Sequence, residues 1–215
     1  MHGATELFRT AIDNEFFYWW DGGWNTNAAC VDNTWYHVRV DFECTAGVYK
    51  GLAQFDWHMY INGVHYGDYN FAHNEAHADE ILFWSNGAES GAHLYLDALG
   101  FSWDPEYIAL GDNVYWDYYD GRASRNFEDD DLWDTNVSPV GWAITDPAGV
   151  DSVTFITEFD EHKKFVQLFD STAQAAAPSI TDTFADGAQV SGTVEFWHKR
   201  TGATENIYML SLIHI

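Results

Sequence analysis

The sequence predicts an all-β fold built as an antiparallel sandwich, and three observations favour it. Residues 34–43 alternate apolar and polar side chains over eight positions, which is typical of a half-buried strand. Asn62-Gly63 stands between two alternating runs, where a hairpin turn needs positive φ at both central residues. Helical composition is confined to 171–177, which Pro178 ends within about two turns. Many short strands must each bury one face against another sheet, so a sandwich follows.

The individual strands follow from alternation and from the turn residues between them. Strands are expected, in chain order, at 15–20, 34–43, 57–61, 64–66, 80–84, 93–103, 152–157, 165–169, 179–184 and 192–198. The Asn-Gly hairpin should set Ile61 opposite Val64 and Tyr60 opposite His65.

The two cysteines, Cys30 and Cys44, flank the strand expected at 34–43. An extended strand of this length holds its ends about 30 Å apart, whereas a disulfide needs Cα atoms within about 7 Å. We therefore expect no bond between them, unless Cys30 folds back from a loop.

Composition excludes several classes of protein. The 215 residues carry 9 Lys and Arg against 34 Asp and Glu, a net charge of −25, which argues against a nucleic-acid partner. Aromatic residues make up 18 % of the chain, enough to bury a core despite the charge. No apolar run approaches the ~20 residues of a membrane span, and the N-terminus does not resemble an export signal. The carboxylates suit either a surface adapted to strong salt or the collection of divalent cations.

A short internal echo suggests a repetitive parent protein. Gly-Ala-Thr-Glu at 3–6 recurs at 202–205, as though the chain covered one period of a tandem array cut in mid-repeat. We expect one part of a repeat over 1–104, a linker rich in Gly, Asp and Asn over 105–130, and part of the next repeat over 131–209.

Several runs resemble a known family. Trp-Tyr-His-Val at 35–38, Trp-His-Met-Tyr-Ile-Asn-Gly-Val at 57–64 and Leu-Asp-Ala-Leu-Gly-Phe at 96–101 resemble the second half of a laminin-G-like domain of the concanavalin A-like lectin and glucanase superfamily. Gly-Thr-Val-Glu-Phe-Trp at 192–197 resembles a strand of the first half. Ala98 departs from the family pattern, which usually has a carboxylate or amide there and so a possible cation ligand.

The resemblance implies a jelly-roll sandwich permuted from two half repeats. Equivalent halves of neighbouring repeats present the same apolar faces, as in domain swapping, so the two parts should close into one sandwich. The alternative is two open half-sandwiches with exposed sheet edges. Residues 210–215 resemble the translated end of a sequencing-library adaptor, so we expect a non-native tail on a fragment of a longer extracellular or cell-surface protein.

Catalytic and metal-binding patterns are incomplete. The run Glu-Phe-Asp-Glu-His at 158–162 approaches the Glu-x-Asp-x-Glu strand of retaining glucan hydrolases, but Glu161 directly follows Asp160 and so faces the other way. We expect a strand end or turn there, and no enzyme. The pair His73 and His77 has helical zinc spacing in a segment expected to be a loop.

A second histidine pair lies on the predicted hairpin. His58 and His65 should share one face, and a cross-strand pair of this kind could chelate a metal. No third ligand is visible in the sequence, so we expect an ordinary surface pair.

The aromatic run at 16–24 is the better functional lead, because it places aromatic residues on both faces of one strand and continues into a Gly-rich loop. Trp20 and Trp24 are expected to be stacking platforms beside Asp21 and Asn25, the core being the alternative place for both tryptophans and more so for Trp20. Acids and carbonyls of the loop also suit Ca²⁺. The predicted function is a non-catalytic module of a repetitive surface or secreted protein that binds a glycan or a surface protein; the alternatives are a structural spacer and a glycoside hydrolase.

Overall fold

A computed structural model describes residues 4–13, 15–87, 92–103, 107, 142–145, 152–160, 162–170, 178–184, 187–201 and 205–214. Over these residues the secondary structure is fourteen strands and one 3-10 turn at Tyr49–Gly51, which confirms the all-β prediction. The strands are β1 (Ala4–Asp13), β2 (Phe16–Trp20), β3 (Trp24–Ala29), β4 (Tyr36–Glu43), β5 (Asp56–Ile61), β6 (Val64–Asn70), β7 (Glu80–Gly87), β8 (Ala92–Phe101), β9 (Trp142–Thr145), β10 (Ser152–Phe159), β11 (His162–Asp170), β12 (Ser179–Thr183), β13 (Ser191–Thr201) and β14 (Glu205–His214).

The strands form two seven-stranded antiparallel sheets. Sheet A has the order β3-β2-β1-β14-β7-β12-β9, and sheet B has the order β10-β11-β8-β13-β4-β5-β6. All the pairings within both sheets are antiparallel. This arrangement confirms an antiparallel β-sandwich, while the finer expectation of jelly-roll connectivity stays a prediction.

The N-terminal and C-terminal parts of the chain share both sheets. In sheet A, β14 lies between β1 and β7, and in sheet B, β13 lies between β8 and β4. The ladder between β13 and β4 runs without interruption from Ser191↔Glu43 to His198↔Tyr36. The two parts therefore close around one interior, as expected, rather than forming two open halves. The origin of these parts in neighbouring repeats stays a prediction.

The Asn-Gly hairpin has the predicted register. Asn62 has φ 49° and Gly63 has φ 77°, so both central residues adopt the left-handed conformation that this turn requires. Ile61 pairs with Val64 and Tyr60 pairs with His65. The hairpin thus fixes the edge of sheet B formed by β5 and β6.

Four strands were not predicted from the sequence: β1, β3, β9 and β14. A β-bulge between Glu6 and Phe8 breaks the alternation of β1, so Leu7 and Phe8 are both buried. β3 is a largely polar edge strand that begins at Trp24, directly after Gly22 and Gly23. Polar side chains on an edge strand keep its unpaired backbone groups in water and discourage pairing with another chain.

The core lies between the two sheets and is strongly aromatic. Phe8 stacks on Trp57 with ring centroids 5.2 Å apart and tilts against Phe42 at 5.9 Å. Each large ring buries roughly 150–250 Å² of surface. The aromatic residues therefore provide the apolar core that the composition predicted. The largest fully buried side chains are Trp57, Phe8, Phe17, Phe42, Phe83, Phe101, Phe165, Leu7, Met59, Ile81 and Leu94.

Several predictions fall on other parts of the chain. The short helix expected at 171–177 lies outside the described residues, as does the linker at 105–130 except for Tyr107. β14 includes residues 210–214 of the expected non-native tail, and whether that tail is native stays a prediction. Cys30 and Cys44 are both free and buried, which confirms that they do not pair with each other.

Candidate functional site

The four residues predicted to bind a ligand meet at the end of the β2-β3 hairpin. Trp20 pairs across the strands with Trp24, and their ring centroids are 5.1 Å apart at an interplanar angle of 65°. Asn25 Nδ2 donates to Asp21 Oδ1 and to the Gly23 carbonyl, both at 3.0 Å. These bonds hold the amide and the carboxylate next to the two indoles.

Alternation along β2 decides which rings reach solvent. Phe17 is buried, and Trp19 packs partly buried against the core. Trp20 is half-buried and lies outside that core, and Trp24 is 41 % exposed. The alternative that Trp20 is a core residue is therefore not what the structure has.

Arg9 joins this hairpin to the rest of sheet A. It pairs in register with Trp20. Its guanidinium carbon lies 5.6 Å from the ring centroid of Trp20 and 5.5 Å from those of Trp24 and Trp84, all within cation–π range. Glu6 accepts from Arg9 Nη2 at 2.5 Å, so the cation is locally neutralised. We call Arg9, Trp20, Trp24 and Trp84 the aromatic face.

Sequence reasoning missed Arg9 and Trp84. Trp84 is in β7, which is separated from β1 by β14, so only the strand order brings it to Arg9. A weak signal exists for Arg9, because an arginine is rare in this chain and it falls at an outward position of β1.

Sheet B carries a second aromatic feature on its outer side. An open groove of about 490 Å³ is lined by Trp35, His37, Asn62, Gly63 and Trp197. His37 Nε2 lies 3.9 Å from the buried carboxylate of Glu195. Burial lowers the pKa of His37, although the Glu195 carboxylate acts to raise it.

A buried carboxylate on β4 binds two cationic side chains. Asp41 accepts from Arg39 Nε at 3.0 Å, from Lys50 Nζ at 2.9 Å and from Thr193 Oγ1 at 2.5 Å. Burial acts to raise the pKa of Asp41, but these hydrogen bonds outweigh burial and hold the pKa below its usual value. With its oxygens so occupied, Asp41 joins β4, β13 and the 3-10 turn.

The predicted histidine pair has a third member. His58 and His65 share one face of the β5-β6 hairpin with ring centroids 5.0 Å apart, as expected. Asp68 Oδ1 lies 2.9 Å from His58 Nε2 and 3.0 Å from His65 Nε2. Burial lowers the pKa of His58, although the Asp68 carboxylate acts to raise it. We call these three residues the histidine trio.

The trio was missed because it depends on a β-bulge. In an unbroken strand, residues 65 and 68 would face opposite sides of the sheet. In β6, however, Gly67 pairs with Met59 and His65 pairs with Tyr60, so Tyr66 is an extra, unpaired residue. This extra residue places His65 and Asp68 on the same face of the sheet. Gly67 suits this position of β6 because a Cβ there would lie 2.8 Å from the ring of Tyr69.

The other candidate sites have structural surroundings. The acidic run at 158–162 spans the end of β10, a turn at Asp160 and the start of β11, and Asp160 Oδ2 accepts from Lys199 Nζ at 2.7 Å. His73 and His77 lie in a loop, where His73 Nδ1 is 2.9 Å from the Glu6 carbonyl. Both placements agree with the sequence-based expectation.

Asp21 is the carboxylate at the hairpin end, where calcium was predicted. Asp21 is exposed and hydrogen-bonded to Asn25. Among the described residues, one group of three His, Cys, Asp or Glu side chains lies close enough together to share an ion, and it is the histidine trio. Asp21 does not belong to it. Calcium binding stays a prediction.

Comparisons with protein-family models, with curated proteins and with solved structures found no match to this chain. In the parts of the chain that the structure describes, no helix has the length and apolar character needed to cross a membrane.

Proposed function

We propose that this protein is a non-catalytic carbohydrate-binding module of a cell-surface or secreted protein, and that the aromatic face is its binding site. One observation carries the proposal: three tryptophan rings surround a single guanidinium on the outer side of sheet A, and Trp24 is 41 % exposed. Aromatic rings left outside an already aromatic core are available for a ligand.

The chemistry of the aromatic face suits a sugar ring. The C–H face of a pyranose stacks on an indole, and its hydroxyls pair with amide and carboxylate groups. Trp24 supplies the exposed indole, and Asp21 and Asn25 lie beside it with their mutual hydrogen bond already formed. A ligand therefore meets side chains whose orientation is set, which reduces the entropy lost on binding.

The charges favour a neutral glycan over an anionic one. Arg9 is the cation at the centre of the aromatic face, and Glu6 neutralises it. The chain as a whole carries −25, so a sulfated or uronic-acid-rich glycan is repelled at long range. The proposed ligand is an uncharged oligosaccharide.

The resemblance of 35–38, 57–64 and 96–101 to a laminin-G-like domain supports a binding role outside the cell, within a repetitive surface protein. The prediction of a calcium ion near the site rests on the acids and carbonyls of the Gly-rich loop that follows β2. Both belong to the same proposal.

The test is a glycan-array screen of the whole chain with and without Ca²⁺, followed by titration of each hit by calorimetry. Trp24→Ala is expected to weaken binding at least tenfold, which corresponds to about 1.4 kcal/mol. Tyr66→Ala is the matched control, because Tyr66 is 39 % exposed but lies on β6 of the other sheet.

The other outcomes are informative. Loss of binding with Trp35→Ala but not with Trp24→Ala would move the site to the groove on sheet B. No binding to any glycan in either condition would favour the structural spacer. Release of reducing sugar from a bound glycan would indicate a glycoside hydrolase.

A further inference from the structure

We infer that His58, His65 and Asp68 form a binding site for Zn²⁺ or a similar divalent transition metal at the β5-β6 edge of sheet B, on the opposite sheet from the aromatic face. The inference starts from geometry. The three donor atoms all lie within 4.8 Å of one another.

Two of the three distances between donor atoms are already close to those around a metal. Tetrahedral zinc with bonds of about 2.0–2.1 Å sets its ligand atoms roughly 3.3 Å apart. Asp68 Oδ1 is 2.9 Å from His58 Nε2 and 3.0 Å from His65 Nε2, so those edges need to open by only a few tenths of an ångström. The remaining edge joins the two imidazoles, and the exposed side chain of His65 can rotate to shorten it.

The backbone presents the three ligands on rigid, adjacent positions. His58 pairs in register with Asp68, and His65 pairs with Tyr60, the second residue after His58 along β5. The Asn-Gly turn closes the hairpin two residues beyond Tyr60, and the bulge at Tyr66 turns Asp68 to the histidine side. The hydrogen-bonded ladder fixes the backbone of all three ligands, so metal binding has to order only their side chains.

The identity of the donors selects the metal. Two imidazole nitrogens and one carboxylate oxygen suit zinc, nickel or copper, whereas calcium and magnesium prefer oxygen ligands alone. Three protein ligands leave at least one coordination position for water, as in open zinc sites.

Charge around the trio also favours a cation. Asp41 pairs in register with His58 from the neighbouring strand β4, and Asp56 lies two residues before His58. Arg39 and Lys50 form ion pairs with Asp41 and offset its charge, so the negative charge near the trio comes from Asp56, from Asp68 itself and from the chain as a whole. A divalent ion therefore enters a negative potential on a protein of charge −25. This potential does not select among metals, which makes selectivity a real test of the donor set.

The experiment is calorimetric titration of the chelator-treated chain with Zn²⁺, repeated with Ca²⁺. We expect one Zn²⁺ per chain and weaker or no binding of Ca²⁺. Asp68→Asn and His65→Ala should each lower the affinity for Zn²⁺ at least tenfold, since even outer-shell changes at metal sites cost about 10–100-fold. His73→Ala is the matched control, because it removes an exposed histidine outside the trio.

Co²⁺ titration followed by visible absorption gives an independent readout, since the d–d bands of Co²⁺ report the donor set and should change with Asp68→Asn. Thermal melts of the metal-free variants establish that each is folded. Three results would each overturn the inference: no heat with Zn²⁺, equal Zn²⁺ affinity in the wild type and both variants, or tighter binding of Ca²⁺ than of Zn²⁺. None of them bears on glycan binding, which the Trp24 variant tests separately.

Discussion

The stability of the sandwich should depend on pH through one buried histidine, His198. It lies in β13, is only 3 % exposed, and faces Phe17 at 5.5 Å and Tyr36 at 6.0 Å between ring centroids. Burial, and next the nearby charge of Arg200, lower its pKa from 6.5 to about 3. Its Nε2 has no hydrogen-bond partner among the residues that the structure describes.

The sign follows from the protons bound in each state. Between about pH 3 and 6.5 the unfolded chain carries a proton on His198 and the folded chain does not, so acid favours unfolding. The contribution of the uncharged His198 to the free energy of unfolding is fully present above pH 6.5 and is lost as the pH falls towards 3. The slope approaches about 1.4 kcal/mol per pH unit, which gives about 2 kcal/mol between pH 7 and pH 5. That amount is a large part of the free energy of unfolding of a typical domain, which is about 5–15 kcal/mol.

The assay is urea denaturation at pH 7 and pH 5, followed by tryptophan fluorescence. Between pH 7 and pH 5, the free energy of unfolding of His198→Leu is expected to fall by about 2 kcal/mol less than that of the wild type, because a leucine has no proton to gain. His73→Leu, in an exposed loop, should behave as the wild type. Equal pH dependence of wild type and His198→Leu would refute the reasoning.

Two substitutions and one labelling experiment test particular contacts. Gly67→Ala should destabilise the fold by about 1–3 kcal/mol, because the new Cβ meets the buried ring of Tyr69 at 2.8 Å; a lower urea midpoint checks this. Asp41→Asn should cost about 3 kcal/mol in the same assay, since it leaves the two cations on that carboxylate uncompensated, and an unchanged midpoint would contradict it. Cys30 and Cys44, whose pKa values burial raises to about 11 and about 12, should resist a thiol reagent at pH 8 until urea is added, and rapid reaction of the native chain would count against their burial.

The part of the fold predictable from sequence is the part set by local pattern. The turn at Asn62-Gly63 needs nothing beyond its two residues, so its register was confirmed pair by pair. β4 has a clean alternation, and its prediction differs from the structure by two residues at one end. β1 was not predicted, because the bulge beside Phe8 puts two consecutive side chains into the core. A search for alternating apolar residues does not detect such a strand.

The candidate sites divide in the same way. Trp20, Asp21, Trp24 and Asn25 are neighbours in sequence, so their grouping at one hairpin end was predictable. Asp68 was not, because one inserted residue decides which face of β6 it occupies. A sequence pattern records side-chain types along a strand, whereas a bulge is a backbone event that shifts the register against the partner strand.

Trp84 shows what the whole sandwich contributes to the aromatic face. It comes from β7, and the strand that separates β7 from Arg9 on β1 is β14, from the other end of the chain. Arg9 therefore meets its third indole only when the C-terminal part has entered sheet A. All four residues of the aromatic face lie in the N-terminal part of the chain, on β1, β2, β3 and β7. Their arrangement nevertheless depends on β14 from the C-terminal part. Closing the shared core therefore completes the aromatic face, so the proposed glycan binding should require the complete folded chain.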